Sequence, residues 1–331
     1  MSYRDRFSIV GQLTDCHLYE GDGTRPIKEE NVRVLYTNRR VQFPDELGLW
    51  RREIEDEEAR KQAAGEPYRW NNPRFAVESL VVSRTHTREE PQVTLSLIDA
   101  DYYDFLTTSL NLGRTLKNGS TLRKQYLEDA DPLDAPPWMF CSLGVNVEVE
   151  TGKDSRMLFS HRSAKVAGPN ASRWNSSANE GLAANHDLPA SGEISLHQVA
   201  HRALREELAV QTSDNVDLEL LGFGLDLLNN QWSVFFRAVL GDLGEEDLRA
   251  RWSHGIEDKW EHDRYAFTPS DPESVLSFIH ETPMWAPCAP ALFYLALVRG
   301  AVRARNDDPA ARLVVEEAER RVLDRHRHGD A

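Results

Sequence analysis

A layered α/β fold is predicted, and three observations predict it. Strand-like alternation and helix-like periodicity are interleaved along the chain rather than sorted into separate halves. Two apolar runs, VDLELLGFGLDLL (216–228) and QWSVFFRAVL (231–240), meet at the turn NNQ and read as a β-hairpin. A long polar loop (167–193) leads into a segment starting at Ser195, which includes HRALREELAV (201–210) and has helical spacing of apolar residues.

In order along the chain, NVRVLYTN (31–38) reads as a strand and 44–65 as a long charged helix. FAVESLVVSRT (75–85) and QVTLSLIDA (92–100) alternate like strands, and 102–110 reads as a short helix. The stretch 111–137 is polar and ends in a Pro-rich turn, which reads as a connection. FCSLGVNVEVE (140–150) and RMLFSHR (156–162) are strands joined by a turn at TGKD. The loop 167–193 follows, then a helix capped by Ser195 with Gln198 in capping-box spacing. After the hairpin come an acidic helix (243–252), a strand (259–269) and a helix opened by Asp271-Pro272. An apolar helix (289–305) and a last helix after Asp308-Pro309 complete the series. The expected organisation is an N-terminal mixed α/β region (1–115), a linker (116–137), a second α/β domain (138–305), and a C-terminal helix and tail (306–331).

The chain has 331 residues, 40% of them hydrophobic, enough for one large core or two ordinary ones. Its 39 basic and 54 acidic residues give a formal charge of −15, which disfavours nucleic-acid backbones and anionic lipid as partners. A small phosphorylated ligand is not excluded, because a divalent cation neutralises its charge locally. Cys16, Cys141 and Cys288 are dispersed and odd in number, which points to a reducing compartment and away from a zinc site. No apolar run has the length of a signal peptide or a membrane span, so a cytoplasmic location is expected.

On the predicted helix, His197, His201, Leu204 and Leu208 share one face, and Val199, Ala203, Glu206 and Glu207 another. Adjacent glutamates can converge on a hard cation such as Mg²⁺ or Mn²⁺. Arg202 is placed to orient Glu206 through an i,i+4 ion pair. The alternative is a plain amphipathic helix with its charges in solvent.

Here the sequence resembles the Nudix superfamily, whose signature is G-x5-E-x7-R-E-U-x-E-E-x-G-U, with U a bulky aliphatic. Arg202, Leu204, Glu206, Glu207 and Val210 match, and the order of elements over 135–305 matches as well. Ala203 replaces a glutamate, Ala209 replaces the glycine, Glu193 is one residue too far from Arg202, and Asp187 stands where the first glycine is expected. The resemblance implies an α/β/α sandwich and metal-dependent hydrolysis of a nucleoside diphosphate linked to another group. The candidate catalytic residues are Glu193, Arg202, Glu206 and Glu207, and the candidate metal ligands are Glu206, Glu207 and Glu180. Glu257, Asp258 and Glu261 flank a later strand where the family places one more acid.

Trp174, Trp232 and Trp260 are candidates to stack on a base, or to pack. Trp174 and Glu261 are the chosen substrate contacts. His197 and His201 have the spacing of a two-histidine metal site, or are packed histidines. Tyr68, Trp70 and Asn71–Asn72, beside Arg69 and Arg74, read either as ligand contacts or as a turn against the second domain. Val315, Ala318 and Val322 fit either a homodimer contact or docking onto the chain itself. Two functions follow: a metal-dependent hydrolase, or a ligand sensor or interaction module whose catalysis has decayed, with Ala203 as its mark.

Overall fold

The computed structural model describes residues 6–86, 88–165, 170–190, 192–256 and 260–329. The strands are β1 (Ser8–Ile9), β2 (Gln12–Leu13), β3 (Cys16–Glu20), β4 (Val32–Arg40), β5 (Pro73–Arg84), β6 (Pro91–Asp101), β7 (Leu143–Thr151), β8 (Arg156–Arg162), β9 (Trp174–Asn175), β10 (Ala178–Gly181), β11 (Val216–Asp226), β12 (Gln231–Leu240) and β13 (His262–Pro269). The helices are α1 (Asp45–Ala64), α2 (Tyr102–Ser109), α3 (Ala184–Asp187), α4 (Leu196–Leu208), α5 (Glu245–His254), α6 (Pro272–Glu281), α7 (Ala289–Ala304) and α8 (Arg312–Gly329).

The main sheet runs β13-β8-β7-β12-β11-β3, with β10 also on β7 and β9 also on β8. Among the described strands of this sheet only β7 and β12 pair in parallel, in register from Trp232 opposite Leu143 to Leu240 opposite Thr151. Alternation along β12 sends side chains to both faces. Val234 and Phe236 join α4, α5 and the second sheet on one side, and Phe235 joins α6, α7 and α8 on the other. The main sheet is therefore covered on both faces, which gives the α/β/α sandwich that the resemblance implies.

Val32–Ser109 builds a separate three-stranded sheet, β4-β6-β5, with β4 parallel to β6. One face of it (Phe75, Val77, Val93, Leu95, Leu97) shares a core with α4 and the main sheet. Its other face (Ala76, Ile98, Ala100) packs with Leu47 and Trp50 of α1 and Phe105 and Leu106 of α2.

The expected boundaries move in three places. β3 pairs with β11, and the backbone of Ile27 bonds Leu220, so residues 16–27 belong with the main sheet and not with the N-terminal unit. The expected linker is packed: Leu116, Leu122 and Leu127 are buried with α1 and α2. The C-terminal tail is helix α8, docked on α6 and α7. Val315, Ala318 and Val322 are at most 1% exposed inside the chain, so they offer no dimer surface. Among the described residues no helix is long and apolar enough to cross a membrane.

Candidate functional site

Helix α4 begins where the Ser195 hydroxyl accepts the Gln198 N–H at 3.3 Å, and it ends in a left-handed residue at Ala209 (φ 57°). A glycine adopts that conformation without strain, and alanine tolerates it less well. The helix buries Val199, Ala203, Leu204 and Leu208, and it also buries Arg202 and Glu207. Its two charged surfaces make different contacts.

Arg202 holds a ring of acceptors. Its guanidinium lies 2.9 Å from Glu180, 2.9 and 3.2 Å from the two oxygens of Asp187, 3.4 Å from Glu206 and 3.1 Å from the Gly181 carbonyl. Arg205 holds the other oxygen of Glu206 at 2.6 Å. Glu207 lies apart from this ring. Its carboxyl oxygens are 3.0 and 3.2 Å from the Asn179 N–H, with His262 Nε2 at 3.5 Å. Burial, reinforced by Glu261 and Glu180, pushes Glu207 well above the usual carboxylate range. Burial and the Arg162 guanidinium push His262 down to about 3. The imidazole is therefore neutral at neutral pH, and burial favours the protonated form of the carboxyl beside it.

These residues do not fit Mg²⁺ or Mn²⁺. A hard cation wants several oxygens, with carboxylates free to turn toward it. Glu206 is held between two guanidiniums, Glu207 is sequestered, and buried Ala203 offers only a methyl. Among the described residues no three or more histidine, cysteine or acidic side chains gather as a metal set. Glu193 is exposed in the segment before the helix. His201 is exposed, and His197 packs edge-on against Phe236 at 4.9 Å. Glu257 and Asp258 lie outside the described residues.

A cavity of about 660 Å³ opens between the N-terminal unit and the main sheet. The N-terminal unit contributes Tyr68, Trp70, Arg74 and Tyr102, and the main sheet contributes Ser142, Asn146, Arg162, Asn179, Glu180 and Gln231, with Trp260 and Glu261 beside them. Arg74 stacks over the Tyr102 ring at 5.0 Å and donates to the Ser142 hydroxyl at 3.1 Å, and burial pushes its guanidinium below the ordinary value. Arg162 donates to Asn179 Oδ1 at 3.2 Å and lies 3.2 Å from Glu261. Arg74 Nε, Arg162 Nε and Asn179 Nδ2 are buried without a hydrogen-bond partner among the described residues. Burial, partly offset by Arg202, pushes Glu180 up to about 7. Gly181 lets Arg74 in, because a Cβ there would stand 2.6 Å from Arg74 Nη1.

Of the residues singled out in the sequence, Glu180 and Glu261 line this cavity, and so do Tyr68, Arg69, Trp70, Asn72, Arg74 and Trp260. Trp174 packs with Trp285 and Phe278, leaving its neighbour Asn175 on the cavity wall. Trp232 is core, against Tyr19 and Phe140. Sequence reasoning missed Arg162 and Lys165. A cation ending the apolar strand RMLFSHR was the available signal, as were asparagines at 146, 175 and 179 in strands that ordinarily exclude them.

Sheet order, the buried face of α4 and the helices on the opposite face form a sandwich of the kind the Nudix resemblance implies, with an added N-terminal α/β unit. No sequence-family model matches the chain, and no curated protein matches it. Among solved structures it is similar to NrtR of Shewanella oneidensis, at 18% identity over 49% of this chain and 65% of that one, with a TM-score of 0.34. This chain thus spans just under two thirds of that protein's length. The Nudix domain of the same NrtR, complexed with ADP ribose, gives 19% identity over 50% and 87% of the two chains and a TM-score of 0.32. NrtR complexed with a 27mer DNA gives 15% identity over 55% and 82%, with a TM-score of 0.34. The likeness is one of fold alone, and the ligands named are those of NrtR.

Proposed function

We propose that this protein is a Nudix-like module that binds an anionic small molecule, of the nucleotide class, in the cavity between its two units and does not hydrolyse it. One observation carries the reading: Arg74, Arg162 and Asn179 line one cavity, and each also has a buried nitrogen, Arg74 Nε, Arg162 Nε and Asn179 Nδ2, without a hydrogen-bond partner among the described residues. Leaving a donor buried and unpaired costs about 1–3 kcal/mol, more when it is charged. Two of these three lining side chains are guanidiniums, so the group that sits against them carries acceptors and negative charge, as a phosphate does. The volume lies within the usual range of about 300–1,000 Å³ for small-molecule sites.

The loss of hydrolysis rests on the box. Arg202 supplies the positive charge that a metal would bring to Glu180 and Glu206, and Ala203 removes one carboxylate. The test is calorimetric titration with ADP-ribose, a nucleotide sugar and a dinucleotide, in EDTA and then in Mg²⁺ or Mn²⁺, with release of nucleoside monophosphate followed in parallel. Binding in EDTA without release in either metal supports the reading. Metal-dependent release that Glu206→Gln abolishes would establish the hydrolase instead.

A further inference from the structure

The geometry points to an aromatic clamp at the mouth of this cavity: Trp70 and Trp260 stack on a planar ring of the ligand while its anionic group lies against Arg74 and Arg162. This inference rests on the binding reading above and adds the half of the ligand that the guanidiniums do not contact.

Trp70 is 65% exposed and Trp260 is 66% exposed, and both line the cavity. A single exposed apolar side chain is ordinary, but two indoles on one cavity are a surface for a flat apolar partner. Each is tethered to one of the cavity's guanidiniums. Trp70 lies four residues before Arg74, on the segment that leads into β5. Trp260 adjoins Glu261, whose carboxylate lies 3.2 Å from Arg162 and whose carbonyl accepts the Ser163 N–H at 2.8 Å. The spacing from ring site to anion site is thereby set by the protein.

The Trp70 segment is irregular yet pinned on both sides. The Arg69 N–H donates to the buried Glu58 of α1 at 2.8 Å, and the Tyr103 hydroxyl donates to the Arg69 carbonyl at 2.7 Å. Asn71 Oδ1 accepts the Tyr103 N–H at 3.0 Å, and the Asn72 carbonyl accepts the Tyr102 N–H at 2.9 Å. Helices α1 and α2 thus fix the backbone on both sides of Trp70 before any ligand arrives, which lowers the ordering cost of binding. The N-terminal unit, which contains no part of the box, thereby supplies one of the two indoles.

Stacking on indole is tolerant of ring identity and strengthens binding by roughly tenfold per base. The experiment titrates the full chain with AMP, GMP, CMP and UMP and with ribose 5-phosphate, which carries the same sugar and anion without a ring. At least one nucleotide should bind about tenfold more tightly than ribose 5-phosphate. Trp70→Ala and Trp260→Ala should bring that nucleotide down to the sugar phosphate's level, leave ribose 5-phosphate unchanged and leave the melting temperature in place. Trp70→Phe should retain most of the gain. Equal affinities of the wild type for nucleotides and ribose 5-phosphate would overturn the clamp and leave the anion site standing, as would alanine variants that weaken both alike. If none of the five binds the wild type, the binding reading itself fails.

Discussion

Replacing Arg202 by leucine removes the cation that Glu180, Asp187 and Glu206 share. Arg202 is 8% exposed, and the distances of 2.9, 2.9 and 3.4 Å leave no room for water between the charges. Deleting one partner of a buried ion pair costs about 3–5 kcal/mol. The lower end applies here. Asp187 keeps the Ala183 N–H at 2.8 Å, and Glu180 and Glu206 retain some exposure. For 331 residues melting as one unit, the unfolding entropy is on the order of 0.7 kcal/mol/K, so 3 kcal/mol lowers the midpoint by about 4 °C. The loss depends on pH in a definite direction. Glu180 stands at about 7 with Arg202 present, and removing the cation raises it further. An acid raised in the folded state contributes stability below its unfolded value and loses it as pH rises through the folded one. Urea unfolding should therefore show a smaller penalty for Arg202→Leu at pH 5.5 than at pH 8. A cost below about 1 kcal/mol, or one that is the same at both pH values, refutes the claim that this guanidinium balances the ring.

Glu207→Gln should flatten the fall of urea stability with rising pH, because burial disfavours the charged carboxylate, whereas Glu207→Ala strands the Asn179 N–H and costs about 2 kcal/mol or more. A large loss in the glutamine variant would mean that the charged form is native. Glu148 on β7 is fully buried with neither oxygen hydrogen-bonded among the described residues, and burial pushes it up to about 8 against the pull of Arg237. Its contribution is present below the ordinary 4.5 and lost as pH rises through about 8, so Glu148→Gln should flatten the fall in stability between pH 5 and pH 9. An unchanged slope would assign that fall to other groups. Gly181→Ala should displace the flexible end of Arg74, weaken anion binding by roughly tenfold and leave the fold intact, as read by calorimetry and circular dichroism. Undiminished affinity would remove Arg74 from the site.

The elements with strong local signals were legible. Ser195 caps α4, Asp271 caps α6, and the 216–240 hairpin pairs as its turn residues require. What was hidden depends on contacts distant in sequence. β9, β10 and α3 lie in a loop whose composition is polar, and the two strands exist because β7 and β8 offer open edges to pair with. The stretch 116–137 looked like a linker because its buried leucines are spaced among charges. Glu206 and Glu207 are neighbours in sequence and have opposite fates, one held by two arginines and the other sealed beside His262. Helical periodicity does not distinguish them, because the difference comes from β10 and β13. The cavity's Arg74 and Arg162 sit on different sheets, and no short motif joins them.

The central claim is that the cavity binds an anion through these side chains without a metal. The measurement that tests it most directly is the affinity of one nucleoside diphosphate-linked ligand for the wild type in EDTA and in Mg²⁺, beside Arg74→Gln and Arg162→Gln. Equal wild-type affinity in both buffers, an intact ligand afterwards and at least tenfold weaker binding by each variant are the results predicted. Binding that requires Mg²⁺, or that both variants retain in full, contradicts it.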